Sequence, residues 1–495
     1  MSKSKHQRCN APARCPAAAK RWLLTFFWLS WAAAGWFGEL GVFCACAQSA
    51  PSSPDIIFIT VDTLRADAAG AYGHPEIRTP AIDSLSRSGL TLAALQSHMP
   101  ITNPSHASML TGLYPANHGA VTFGLRIKND VPTVALLLAG SGYRTGAFVS
   151  GFSLAAPVSG LERGFEIYED DWPKEAAERR GDQTARIALN WLRDIPDTQP
   201  VFLWLHLFDP HKPYDPPDIF GRRREAGYRQ SSGDAVRGQM VMAQHDPAVR
   251  HTALMEDDGE ERAEGSMPPE RVLREWNRYL GEIEFTDREI SLFMRRFARL
   301  RPGRPRVVML TSDHGESFSH GYYFRHIDRL YQTLLHVPLV VCGPGQPRRI
   351  DPLLRQSVDI APTMLHLAGL SVPAGLDGKP LFLMKDSAIA EAAGHAAAFA
   401  QLPGRSSSLS LGPLFSAITL SQKLVYHERT GETAAYDLVA DPGELAPQSG
   451  AVDSSWEELR RILTEYQQQA AAGASAAPQL DEESLETFRR LGYVQ

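Results

Sequence analysis

Largely apolar runs of strand length recur along the chain: DIIFITVD (55–62), TGAFVSG (145–151), VFLWLHLFD (201–209), RVVMLTSD (306–313) and VPLVVCG (337–343). Runs this short and this continuous are those of strands covered on both faces rather than on one. Between them, helical patterning occupies 80–89, 132–142, 181–193 and 269–300. Strands alternating with helices predict an α/β fold, a mainly parallel sheet covered by helices on both faces. Past residue 370 the pattern changes. AITLSQKLVYH and GETAAYDLVADPGE alternate in the manner of antiparallel strands joined by a tight turn, and an amphipathic helix follows at 454–469. This predicts a smaller C-terminal subdomain with an antiparallel sheet over 371–450, a helical tail over 451–495, and one larger domain over 50–370. Residues 221–268 are polar, mixed in charge and without a sustained period, which marks a long surface insertion.

The first 49 residues change the picture of where the protein works. Lys3, Lys5, Arg8, Arg14, Lys20 and Arg21 precede the uncharged stretch WLLTFFWLSWAAAGWFG, and Ala45-Cys46-Ala47 supplies a small-x-small cleavage pattern. The expectation is a signal peptide or membrane anchor, hence a secreted or periplasmic protein whose membrane contact is confined to that segment. Of five cysteines only Cys342 lies beyond it, which excludes a structural disulfide within the mature chain. The net charge of −6 and the lack of a long basic run after the N-terminus argue against a nucleic-acid partner.

Candidate chemistry gathers where strands end. Ligands of α/β sheets bind at the carboxyl edge, and three of the runs finish there with metal-binding residue types: Asp62; Asp209 and His211; Asp313 and His314. Thr102 lies just outside the N-terminus of a predicted short helix, with Asn103 as its expected cap, Pro104 in the first turn and Gly112 as its terminator. A hydroxyl there faces the positive end of a helix dipole, where an anionic ester is favoured, and needs a metal or base to become a nucleophile.

The blocks VDTLRADAAGAYGHPEIRTPAIDSL, TNPSHASMLTGLYPANHG, FLWLHLFDPHKPYDPP, TSDHGESF, VDIAPTMLHLAGLSVPAGLDGKPL and YDLVADPGE stand in the order found in sulfatases. The chain therefore resembles the sulfatase family of the alkaline phosphatase superfamily over residues 54 to 448. The resemblance implies a large mixed, mainly parallel sheet flanked by helices, a smaller C-terminal subdomain with an antiparallel sheet, metal at the sheet edge and ester hydrolysis. The family signature is C-x-P-S-R-x-x-x-L-T-G, whose cysteine or serine becomes a formylglycine. Here Thr102 takes that position and His106 that of the arginine. Threonine carries a methyl on its β-carbon, so oxidation cannot give an aldehyde. The paired aspartates expected after the first strand are Asp62-Thr63, the later Asp-Asn is Asp313-His314, and a sulfate-binding lysine is replaced by His326.

These departures resemble phosphoester-cleaving relatives and imply two divalent ions. Asp62, Thr102, Asp313 and His314 would surround one, and His211, His326 and Asp209 the other, with Zn²⁺ first and Mn²⁺ or Ca²⁺ as alternatives. The expected activity is hydrolysis or transfer of a phosphoester of a small molecule, lipid or glycan by Thr102. His211 contacts substrate, and His106 and His98 are candidates for proton transfer. A sulfatase without formylglycine and a silent binding protein for an anionic glycan or lipid are the alternatives. Metal-bound imidazoles at His211, His314 and His326 imply loss of activity in acid.

Overall fold

A computed structural model describes residues 53–172, 178–221, 253–255, 261–263, 267–385, 388–403, 412–448 and 454–472. The N-terminal leader, most of the 221–268 insertion and the end of the tail lie outside the described residues. Among those described, no helix is long and apolar enough to cross a membrane.

The main sheet has eight strands: β1 (Asp55–Val61), β2 (Leu90–Gln96), β3 (Arg144–Phe148), β4 (Ile167–Glu169), β5 (Val201–Leu207), β6 (Arg306–Ser312), β7 (His336–Cys342) and β8 (Arg349–Gln356). Their order is β8-β2-β7-β6-β1-β5-β3-β4. Pairing is parallel except at β7, which runs antiparallel to both β2 and β6. The sheet is thus mainly parallel, as the apolar runs predict, and mixed, as the resemblance implies. Strands β2, β4 and β8 do not stand out in the sequence. RIDPLLRQ in β8 carries two arginines, an aspartate and a proline, tolerable because β8 is an edge strand whose register shifts between Asp351 and Leu354.

Alternation along the strands sorts side chains into two cores. Ile57, Ile59, Val61, Leu203, Leu205, Leu207, Val308 and Leu310 face one side, against α4 (Gly181–Leu192) and the long α5 (Pro269–Leu300). Ile56, Phe58, Phe202, Trp204, Val307 and Met309 face the other, against α2 (Thr102–Thr111), α3 (Val134–Gly140) and α6 (Ile360–Leu367). Helix α1 (Pro80–Ser88) has no cap from its own Thr79 side chain; instead Asp287 of α5 accepts the N–H groups of Ala81 and Ile82, both at 2.9 Å.

Strands β9 (Ala398–Leu402), β10 (Leu414–Ile418), β11 (Gln422–His427) and β12 (Glu432–Asp437) form a separate antiparallel sheet. AITLSQKLVYH is therefore the end of one strand, a turn and the next strand. Helix α7 (Glu457–Ala472) packs Leu459 and Leu463 onto Ala417, Leu424 and Ala435, so this part of the tail belongs to the C-terminal layer.

Candidate active site

β1 and β6 are adjacent and in register, Val61 beside Ser312, so the residues that follow them, Asp62 and Asp313, emerge together at the carboxyl edge. Helix α2 lies over the same edge. It begins at Thr102 itself, with Ile101 as an N-cap in extended conformation and no side-chain cap. The sequence expectation that Asn103 caps it is corrected: the Asn103 amide donates instead to the Leu125 carbonyl, at 3.0 Å. Gly112 ends the helix as expected, in the left-handed region at φ 72°. All ten residues of α2 are buried.

Asp62, Asp313 and His314 each offer a ligand atom, all within 4.8 Å of one another. Neither oxygen of Asp62 completes a hydrogen bond, nor does Asp313 Oδ2, although all are buried. Asp313 Oδ1 is held by the N–H groups of Thr63 at 3.2 Å and His314 at 2.9 Å, which aims the other oxygen inward. His314 Nδ1 donates to the Gly315 carbonyl at 3.0 Å, leaving Nε2 as the lone-pair atom, 3.4 Å from Asp313 Oδ2 and 3.5 Å from Thr102 Oγ1. Two lone-pair atoms facing each other at that distance, beside an unanswered carboxylate, fit a divalent cation.

The electrostatics agree. Burial, then the neighbouring Asp313 charge, push Asp62 well above the usual carboxylate range, and the nearby Thr102 hydroxyl opposes the rise. Burial raises Asp313 too, against His106 and the backbone N–H groups. Without a cation the two carboxylates resist ionising together.

His211 and His326 adjoin this cluster. The His326 ring stacks on His314 with centroids 4.5 Å apart, and His211 meets His326 edge to face at 5.2 Å. His211 Nδ1 donates to the Lys212 carbonyl at 2.6 Å, and His326 Nδ1 to Glu316 Oε1 at 3.2 Å, so Nε2 is the acceptor on both. Burial lowers each to about 3. Burial thus favours the neutral, metal-binding form of both imidazoles.

Two other expectations are corrected. Asp209 does not join His211 and His326; both its oxygens accept the Gly181 N–H, at 3.0 and 3.1 Å, at the start of α4. His106 is not placed for proton transfer. Its Nδ1 donates to the Thr102 carbonyl at 2.8 Å and its Nε2 accepts from Thr60 Oγ1 at 3.0 Å, tying α2 to β1. His98 Nδ1 donates to the Phe399 carbonyl of the C-terminal sheet at 2.7 Å.

The sequence reading missed Glu316 and His206. Glu316 is fully buried, accepts from the Tyr214 hydroxyl at 3.0 Å and orients His326. His206 lies opposite Thr60 across the β1–β5 pair, with Nε2 3.5 Å from Asp62 Oδ2. The period-two alternation of VFLWLHLFD would have placed it on the Trp204 face, the face of Asp62 and α2.

The sulfatase family model matches residues 54–370, well over half of the chain. This chain belongs to the sulfatase family. Arylsulfatase K of Mus musculus is 24% identical over 447 residues, covering 84% of this chain and 77% of that protein. The phosphonate monoester hydrolase of Agrobacterium radiobacter superposes with a TM-score of 0.68 at 21% identity, over 85% of this chain and 95% of the other. A protein solved with its substrate D-glucosamine-2-N,6-O-disulfate gives 0.66 at 20% identity, over 85% and 98%. At these identities the solved structures establish the fold. This sulfatase-family chain thus has the family's α/β architecture and a candidate metal site of Asp62, Asp313 and His314.

Proposed function

We propose that this chain is an exported, metal-dependent hydrolase in which the Thr102 hydroxyl attacks a phosphoester at the carboxyl edge of the sheet. The observation that carries the reading is the position of Thr102: first residue of a helix, 3.5 Å from His314 Nε2, beside the unpartnered Asp62 carboxylate. A divalent cation held by Asp62, Asp313 and His314 would lower the pKa of a hydroxyl beside it and neutralise charge on the ester oxygens. Thr102 Oγ1 forms a bond to phosphorus, the ester P–O bond breaks, and the hydroxyl proton ends on the departing alcohol. Water then cleaves the phospho-threonine, returning the hydroxyl and inorganic phosphate or a monoester. The first N–H groups of α2 receive the oxygens of the anion. His211 and His326, too weakly basic at about 3 to take a proton at neutral pH, orient hydrogen-bonded groups as acceptors.

Phosphorus is favoured because a sulfate ester of a plain alcohol side chain lacks the second hydroxyl that a formylglycine hydrate uses to expel sulfate. One cation is favoured over two, since Asp209 is spent on Gly181. The O,O,N donor set suits Zn²⁺ or Mn²⁺ better than Ca²⁺. Cleavage of glycan sulfate is the second reading, supported by relatives such as the ulvan-active sulfatase of Formosa agariphila. The test is turnover of aryl phosphodiester, aryl phosphonate ester and aryl sulfate after chelation and reloading with Zn²⁺, Mn²⁺ or Ca²⁺. Metal-restored phosphoester cleavage is expected. Dominant sulfate release would replace the phosphoester reading, and inertness toward all three would leave a binding protein.

A further inference from the structure

We propose that His206 is a positioning residue that donates a hydrogen bond from Nε2 to Asp62 Oδ2 and thereby fixes the orientation in which Asp62 meets a divalent cation. The proposal rests on the cation reading of Asp62, Asp313 and His314.

Three observations carry it. His206 lies within β5, a strand paired with β1 from Phe202 to Leu207, so its ring is held on the Asp62 face. Its Nδ1 accepts the Ser150 backbone N–H at 3.3 Å, and Ser150 is itself held by its Oγ donating to the His206 carbonyl at 2.7 Å. A backbone N–H can only donate, so Nδ1 carries the lone pair and the ring proton stands on Nε2. That Nε2 is fully buried, is without a completed hydrogen bond, and stands 3.5 Å from Asp62 Oδ2, itself unpartnered. A donor and an acceptor, each buried and each without a completed hydrogen bond, stand 3.5 Å apart.

The surroundings hold the ring still. His106 meets it edge to face at 5.0 Å, and Trp204 and Phe208 lie at 6.5 and 6.0 Å. A donor on Oδ2 would leave Oδ1 of Asp62 for a cation. The other imidazoles at the site differ: His211, His314 and His326 carry their proton on Nδ1 and present Nε2 as an acceptor. The site therefore contains one imidazole of the opposite tautomer, set against a carboxylate.

The experiment is calorimetric titration of the chelated, folded protein with Zn²⁺ and Mn²⁺, for the unaltered chain, His206→Phe and His206→Gln. Phe keeps the ring and removes the donor; Gln keeps an N–H donor. The expected result is a roughly 10- to 100-fold weaker affinity for His206→Phe, largely restored in His206→Gln. Long-range ¹H–¹⁵N spectra of the unaltered chain give a second readout that needs no variant: the His206 proton is expected on Nε2 before and after Zn²⁺. Equal affinity for His206→Phe, or a proton on Nδ1, would overturn the role of His206 while leaving the cation reading intact. Failure of the unaltered chain to bind either ion would overturn the cation reading and this proposal with it.

Discussion

Strand β1 has a buried aspartate at its start and another just past its end, and the two are treated in opposite ways. Asp55 is fully answered: Arg301 donates to both its oxygens at 3.0 and 3.1 Å, Arg304 donates at 3.0 Å, and the Val201 N–H adds a fourth contact. Asp62, at the other end of the same strand, has no completed hydrogen bond and faces a second carboxylate. A buried charge matched by guanidinium groups is a structural joint, here pinning β1, β5 and the end of α5. A buried charge left unmatched costs stability and persists where something else is to bind. The contrast locates the working edge of the sheet without reference to any relative.

The largest expected effect is on catalysis. Thr102→Ala should lower turnover by about 10⁴-fold or more, while calorimetry finds Zn²⁺ or Mn²⁺ affinity nearly retained, because the ligand set of Asp62, Asp313 and His314 is untouched. Residual activity within tenfold of the unaltered chain would remove Thr102 from the chemistry. Next, the two aspartates should respond to neutralisation with opposite sign. Asp55→Asn breaks a buried charged cluster and should cost about 3–5 kcal/mol in urea unfolding. Asp62→Asn should stabilise the metal-free protein at pH 7. Burial raises the folded pKa of Asp62 above its unfolded value, so ionisation penalises the fold increasingly as pH climbs past the unfolded value; the gain from Asn should therefore vanish as pH falls toward 4. Two losses of equal size would show that Asp62 is as well matched as Asp55.

Smaller still is a pH effect remote from the charged cluster. Burial lowers His98 to about 4, below the ordinary value near 6.5 of an unfolded histidine, so the unfolded chain takes up a proton that the folded one refuses. Stability should be complete above pH 6.5 and decline as pH falls to about 4, by up to about 3 kcal/mol from this group. Denaturant melts of His98→Gln across that interval should show a shallower decline, and an unchanged slope would mean that His98 is protonated in the fold. The smallest effect belongs to Asp209→Asn: burial outweighs the Gly181 N–H and raises Asp209 to about 6, and the amide oxygen can keep the Gly181 bond, so removing the charge should not destabilise the fold at pH 7 and should leave Zn²⁺ affinity unaltered. A tenfold loss of affinity would return Asp209 to the metal site.

Much of this was legible in the chain itself. Runs such as DIIFITVD and RVVMLTSD announce buried strands because a strand covered on both faces has no polar side, and a carboxylate directly after such a run must emerge at one sheet edge. That is why Asp62, Asp313 and His314 could be grouped from sequence. β8 was hidden because an edge strand tolerates proline and charge, and β4 because it spans three residues. His206 was hidden inside an apolar run, where a lone histidine looks like filler until register sets it opposite Thr60.

The sequence by itself determined the α/β class, the strands that end in metal-binding residue types and the absence of a formylgenic residue at Thr102, because these depend on side-chain chemistry and on periodicity along one segment. Only the tertiary structure decided which polar groups are already satisfied. Asp209 and His106 have the right chemistry but spend it on Gly181 N–H and on Thr60 with the Thr102 carbonyl, whereas Asp62 and Asp313 Oδ2 do not. Satisfaction of a buried group depends on partners far away in sequence, and those are brought within reach only by strand pairing and by the seating of α2 on the sheet.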